Sequence, residues 1–186
     1  MADSRNVAVL VGSLRKASIS RRIAQALAGL APPGLHLAEV DIGSLPLYNQ
    51  DLEAAVPEAW TAFRSRVQSA DAVLFVTPEY NRSVPGLLKN AIDVGSRPHG
   101  KSVWSGKPCA VVSVSPGALG AFGANHHLRQ SFVFLDMPVM QQPEAYIGGA
   151  AALFDDAGKL TNDSTREFLT KYIAALAAWI EKSRKA

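Results

Sequence analysis

The sequence predicts an α/β domain, a doubly wound sheet of five parallel strands in the order 2-1-3-4-5 with helices on both faces. Three observations carry this. Segments with strand and helix patterning alternate along the chain, the arrangement that builds a parallel sheet through right-handed crossovers. Residues 72–76 form an unbroken apolar run, Ala-Val-Leu-Phe-Val, as a central strand covered on both faces requires. The 186 residues, 48% hydrophobic, suffice for one substantial core and not two, so residues 1–186 read as a single domain.

Each element follows in order. The apolar run 7–11 is strand one, and residues 18–30 form a helix stopped by Ala31-Pro32-Pro33-Gly34. Residues 35–40 alternate apolar and polar and make strand two, leading into a loop that starts at Gly43-Ser44-Leu45-Pro46 and runs to about residue 56. Residues 58–70 are helical and 72–76 are strand three. The next helix begins near Pro85-Gly86 and ends by residue 96, with Pro98 as a stop. Residues 110–114 are strand four, 126–135 belong to a fourth helix, and 139–141 begin strand five. In the irregular stretch 145–160, Asp155-Asp156-Ala157-Gly158 reads as a turn between two extended pieces. The last helix places Phe168, Leu169, Tyr172, Ile173, Leu176, Trp179 and Ile180 on one face, with Ser164 and Glu167 as a capping box.

Composition narrows the function classes. The net charge is only +3, and the basic residues are dispersed apart from the first loop and Lys182-Ser183-Arg184-Lys185, which is no nucleic-acid footprint. The polar start lacks a signal-peptide core and no apolar run reaches membrane-spanning length, so no membrane partner is expected and the protein reads as cytoplasmic. A single cysteine, Cys109, excludes an intrachain disulfide or a cysteine metal cluster and sits in an apolar strand pattern. No metal site is expected. The adjacent His126-His127 lack an H-E-x-x-H context, and no G-x-S-x-G elbow occurs.

A doubly wound sheet binds its ligand beyond the strand C-termini where the order reverses, which brings together loops 12–20, 77–86 and 113–120. The first, Gly12-Ser13-Leu14-Arg15-Lys16-Ala17-Ser18-Ile19-Ser20, suits a phosphate: helix-start N–H groups and dipole favour an anion, Ser13, Ser18 and Ser20 add hydroxyls, and Arg15 adds charged donors. The same segment is compatible with a plain strand-to-helix turn, Ser18 being the N-cap and Arg15-Lys16 solvated. Neither G-x-G-x-x-G nor G-x-x-x-x-G-K-[ST] is present, so a mononucleotide phosphate such as that of FMN, on a flavodoxin-like sheet, fits better than a dinucleotide or a Walker loop. In the second loop two prolines, Tyr80 and several hydrogen-bonding side chains supply a wall for a planar heterocycle. Glu79 reads equally as a charge at the start of the following helix. The third loop, Ser115-Pro116-Gly117-Ala118-Leu119-Gly120, lets a ligand approach the backbone closely.

Gly12-Ser13-Leu14-Arg15-Lys16-x-Ser18 together with Pro78-Glu79-Tyr80-Asn81-x-Ser83-x-Pro85-Gly86-x-Leu88-Lys89-Asn90-Ala91-Ile92-Asp93 resembles the NADPH-dependent FMN reductase family, its bacterial quinone and chromate reductase branch above all. The resemblance implies an FMN-dependent enzyme that takes electrons from NADPH or NADH and passes them to small-molecule acceptors: quinones, with chromate, azo compounds or free flavin as further candidates. It implies that Ser13, Arg15, Ser18 and Ser20 hold the FMN phosphate, that Pro78, Glu79, Tyr80 and Asn81 line the ring, and that Ser115 and Gly117 lie near its other edge. No protein side chain is then catalytic, because the flavin carries the chemistry. Arg82 and Arg97 are candidates for attracting the donor's phosphates or an anionic oxidant. A homodimer or homotetramer is implied, with contacts from the helices after strands three and four, where Phe122, Leu128, Phe132 and Leu135 offer apolar material. Two positions depart from the family pattern: Ser20 stands where Asn is frequent, and Val94 where Trp is frequent. The competing reading is a flavodoxin-like electron carrier serving a protein partner, against which the mild positive charge counts.

Overall fold

In a computed structural model, which describes residues 4–184, five parallel strands stand in the order β2-β1-β3-β4-β5. They are β1 (Arg5–Val11), β2 (Leu35–Glu39), β3 (Ala72–Thr77), β4 (Cys109–Val114) and β5 (Ala145–Ile147). Helices α1 (Ile19–Gly29), α2 (Glu58–Gln68), α3 (Gly86–Gly95), α4 (Phe122–Phe134) and α5 (Asp163–Arg184) complete the two outer layers, with short 3-10 turns at Gln50–Ala55 and Ala150–Leu153. The polar start and basic end read from the sequence fall partly outside the described residues, in 1–3 and 185–186.

Alternation along the strands divides the core in two. Val7, Val9 and Val11 pack with Leu74, Val76 and the buried faces of α1 and α5, while Ala8 and Leu10 join Phe75 and side chains of α2, α3 and α4 on the other side. Central β3 and β4 are buried at every position, which is why their sequences are apolar on both faces save for Thr77 and Ser113. The Tyr172 hydroxyl, fully buried, donates to the Val111 carbonyl at 2.8 Å and ties α5 to the sheet.

Three expectations are corrected. Strand five does not begin at 139–141: Val139 makes one isolated parallel bridge to Cys109, and the chain rejoins β4 as a ladder only at Ala145–Ile147. Pro138 and Pro143 bracket the gap and have no N–H to donate to a ladder. The α5 cap is Asn162 rather than the Ser164–Glu167 box: its Oδ1 accepts from the Thr165 N–H at 2.9 Å and from the Ser164 hydroxyl at 2.8 Å, while Glu167 pairs with Lys171. Of the apolar residues offered for subunit contact, Leu128, Phe132 and Leu135 are taken by the core, and Phe122 stays exposed. The turn at 155–158 is present, its flanks joined by the Phe154–Leu160 bridge. Val94 is buried, 1% exposed, in the layer that also holds Trp104.

Candidate cofactor site

The C-terminal ends of β1, β3 and β4 deliver the three predicted loops to one end of the sheet. The Gly12 N–H donates to the Val76 carbonyl at 2.9 Å, extending the β1–β3 ladder, and a Cβ on Gly12 would lie 3.1 Å from the Pro78 ring, so the first and second loops leave the sheet side by side. A side chain at Gly12 would require Pro78 or Leu88 to give by a few tenths of an ångström.

In the first loop Ser18 is the N-cap of α1, its Oγ accepting from the Arg21 N–H at 3.2 Å. Its hydroxyl proton remains able to donate. Ser13 and Ser20 are 7% and 3% exposed, and within the described residues their hydroxyls make no hydrogen bond. The Arg15 side chain is exposed and likewise has no hydrogen bond or ion pair there. The first turn of α1 carries no acidic residue, and the Ser18 side chain accepts from only one of its N–H groups, that of Arg21. Unused hydroxyl donors, a free guanidinium and a helix start fit a phosphate monoester.

Arg21 supports this loop from behind, a role the sequence reading missed. Its Nε meets the Glu39 carboxylate at 3.0 Å while its other nitrogens reach the Ser13 and Arg15 carbonyls at 3.4 Å. Carbonyls held from behind leave the amide side of the loop free for an anion. The only hint in sequence was a second arginine one turn into the helix.

In the second loop Asn81 and Arg82 have φ values of +50° and +62°, and Tyr80 and Ser83 exchange both backbone hydrogen bonds around them, at 3.2 and 2.9 Å. This is a type I′ turn built without glycine, which turns the chain sharply between β3 and α3. The Glu79 carboxylate serves α4 and not α3, the helix that follows it in sequence. Its Oε2 accepts from the Ala124 N–H at 3.0 Å, capping α4, whose own N-cap Ala121 is left-handed and has no side-chain oxygen. A carboxylate at a helix start is favoured by hydrogen bond and dipole together. Gly123 permits the contact, since a Cβ there would lie 2.7 Å from the Arg82 carbonyl oxygen and 2.9 Å from Glu79. The Ser83 hydroxyl and His127 Nδ1, 2.9 Å apart, add a second link from this turn to α4.

The third loop is laced to the β5 exit. The Gly149 N–H donates to the Gly117 carbonyl, the Ala150 N–H to that of Ser115, and the Ser115 hydroxyl to Gly117 at 2.9 Å. Below it Asn125, fully buried, donates to the Ser113 hydroxyl at 3.2 Å and accepts from Arg129 Nε at 3.0 Å. Arg82 and Arg97 do not sit together. They flank opposite ends of α3, a helix of 10 residues and so about 15 Å long, and the Arg97 guanidinium lies over the Tyr48 ring at 5.9 Å.

The family model for NADPH-dependent FMN reductase matches residues 5–152. The chain belongs to that family. Membership makes it an oxidoreductase that works with FMN and a nicotinamide donor. A quinone reductase of Pseudomonas putida is 66% identical over 185 residues, 99% of each chain. A 2-hydroxy-1,4-benzoquinone reductase of Burkholderia sp is 47% identical over 96% of this chain and 97% of its own. Among solved structures, the flavoenzyme NAD(P)H:(acceptor) oxidoreductase FerB of Paracoccus denitrificans superposes with a TM-score of 0.91 at 43% identity, over 96% of this chain and 98% of that one. The unused donors of loop 12–20 follow the C-terminal end of β1, beside which β3 is paired. Within the described residues no helix is long and apolar enough to cross a membrane and no metal-binding cluster occurs.

Proposed function

We propose that this chain is an NAD(P)H:quinone oxidoreductase holding one FMN. The observation that carries this reading is the set of unused donors on loop 12–20, Ser13, Arg15 and Ser20, at the start of α1. The FMN phosphate sits there, with Ser18 donating through its hydroxyl while it caps the helix. The ring lies between Pro78, Glu79, Tyr80 and Asn81 on one side and Ser115 and Gly117 on the other. Glu79 contributes backbone only, because its carboxylate is engaged by α4. Bound FMN supplies the two-electron chemistry, accepting hydride from NADPH or NADH and delivering it to the quinone.

The chain's own residues bind, orient and screen. Arg82, 73% exposed on its turn and 3.5 Å from the Glu79 carboxylate, offers a cation to the donor's phosphates, whereas Arg97 at the far end of α3 is left out of the site. Donor and acceptor use one open face in turn, a ping-pong order. Chromate, azo compounds and free flavin are further acceptors this reading allows. A homodimer or homotetramer uses the most exposed apolar side chains of α4, Val133 and Phe134 at 84% and 86%. A cytoplasmic location accords with the lone buried thiol of Cys109.

The test is direct. Purified protein is expected to carry one FMN per chain by its absorption spectrum, to bind riboflavin far more weakly, and to consume NAD(P)H steadily when a quinone is supplied. Equal uptake of FMN and riboflavin would overturn the phosphate assignment, and turnover only with a protein partner would favour an electron carrier.

A further inference from the structure

Of eight large apolar side chains exposed within the described residues, Leu14, Tyr80, Leu119 and Phe122 lie on the three ligand loops or within two residues of them. Phe122 is the best supported. It opens α4 between two close backbone approaches: a Cβ on Gly120 would lie 2.6 Å from the Tyr146 backbone, and one on Gly123 2.7 Å from the Arg82 carbonyl oxygen. Its ring is backed by His126 at 4.2 Å and Tyr146 at 5.2 Å between centroids. Those two rings are nearly parallel, 7° apart, and joined by a 3.0 Å contact between His126 Nε2 and the Tyr146 hydroxyl. An aromatic side chain 51% exposed yet pinned on both sides and supported from below is a rigid shelf.

We propose that Phe122, supported by His126 and Tyr146 and joined through its backbone N–H to the Leu119 carbonyl, is an acceptor subsite for planar quinones of two or more fused rings. The inference rests on the quinone reductase reading above. The shelf continues the wall of the candidate cofactor site, since Glu79 and Ser83 tie the Tyr80 turn to the first two turns of α4. A small quinone lies wholly over the flavin pocket, whereas the second ring of a naphthoquinone extends over Phe122. The patch is also remote from Val133 and Phe134, 11 or more residues further along α4 and so about 16 Å away, which leaves the contact with another copy to that end.

The test compares wild type, Phe122→Ala and Phe122→Tyr as FMN-loaded proteins, with a naphthoquinone, a benzoquinone and ferricyanide as acceptors. Phe122→Ala is expected to raise KM for the naphthoquinone about two- to tenfold, the size of one lost aromatic pair, and to leave the other two within about twofold. Phe122→Tyr is expected to keep the wild-type naphthoquinone KM. An unchanged naphthoquinone KM in Phe122→Ala with FMN bound overturns the subsite and leaves the quinone reductase reading standing. A uniform fall with all three acceptors, or a smaller assembly by analytical ultracentrifugation, overturns it in favour of a structural or subunit-contact role. Wild type that holds no FMN and reduces no quinone overturns the underlying reading instead.

Discussion

Glu79→Ala removes the contact through which one ligand loop shapes another. The lost interaction is a backbone N–H to a carboxylate that is only 13% exposed, so water does not readily take its place. A hydrogen bond to a charged group contributes about 1.5–3 kcal/mol, and the helix-dipole share of about 0.3–1 kcal/mol is contained within it. For a domain of this size each kcal/mol moves Tm by about 2–4 °C, so Glu79→Ala is expected to melt about 3–12 °C lower. Glu79→Gln keeps a carbonyl acceptor and loses the charge, with an expected loss of about 1–4 °C. Urea unfolding of the FMN-free protein measures the stability change, and FMN titration reads the loop. Affinity should fall more for Ala than for Gln, because only in the former does the turn at 80–83 lose one of its two links to α4, that of Ser83 to His127 remaining. A Glu79→Ala protein that loses less than about 0.5 kcal/mol, yet no longer binds FMN, would refute the cap and put the carboxylate on the ring instead.

Three further outcomes are expected. Arg15→Ala should weaken FMN binding about ten- to hundredfold, for the loss of one charge-assisted contact of about 1.5–3 kcal/mol, with Lys16→Ala costing less; equal small effects in titrations of both would mark the pair as solvated. Initial rates with NAD(P)H varied at several fixed quinone concentrations should give parallel double-reciprocal lines, since one face cannot hold donor and acceptor together; intersecting lines would require a ternary complex. Burial pushes the Cys109 thiol above its ordinary value of 9.0, so the native protein should resist thiol reagents at pH 8 and react only on unfolding. By linkage the native state holds this proton longer than the unfolded state, so its contribution to stability is complete below pH 9 and declines above it. Cys109→Ala should flatten that alkaline decline in denaturation curves, and an unchanged decline would count against the buried thiol as its source.

Much of this molecule was written in local pattern. A continuous apolar run marked β3 because a strand covered on both faces needs no polar alternation, and the face of α5 was legible from its 3.6-residue period. The hydroxyl-rich loop before α1 was legible as a cluster of donors because those donors are neighbours in sequence. The tertiary structure decided what depends on partners distant in the chain. Nothing around residue 79 says that its carboxylate caps a helix starting 43 residues later, and nothing around Arg21 says that it braces Ser13 against Glu39. The interrupted approach of 139–141 to β4 was unreadable because a short apolar stretch pairs only where its neighbour's register and its own prolines allow. Which face of α4 is core and which is shelf was likewise undecided, since Phe122, Phe132 and Phe134 are one residue type and only the packing of the sheet buries the second and exposes the others. Sequence specifies what each segment is able to bury or bind; a contact made across the fold is fixed by where the other elements come to rest.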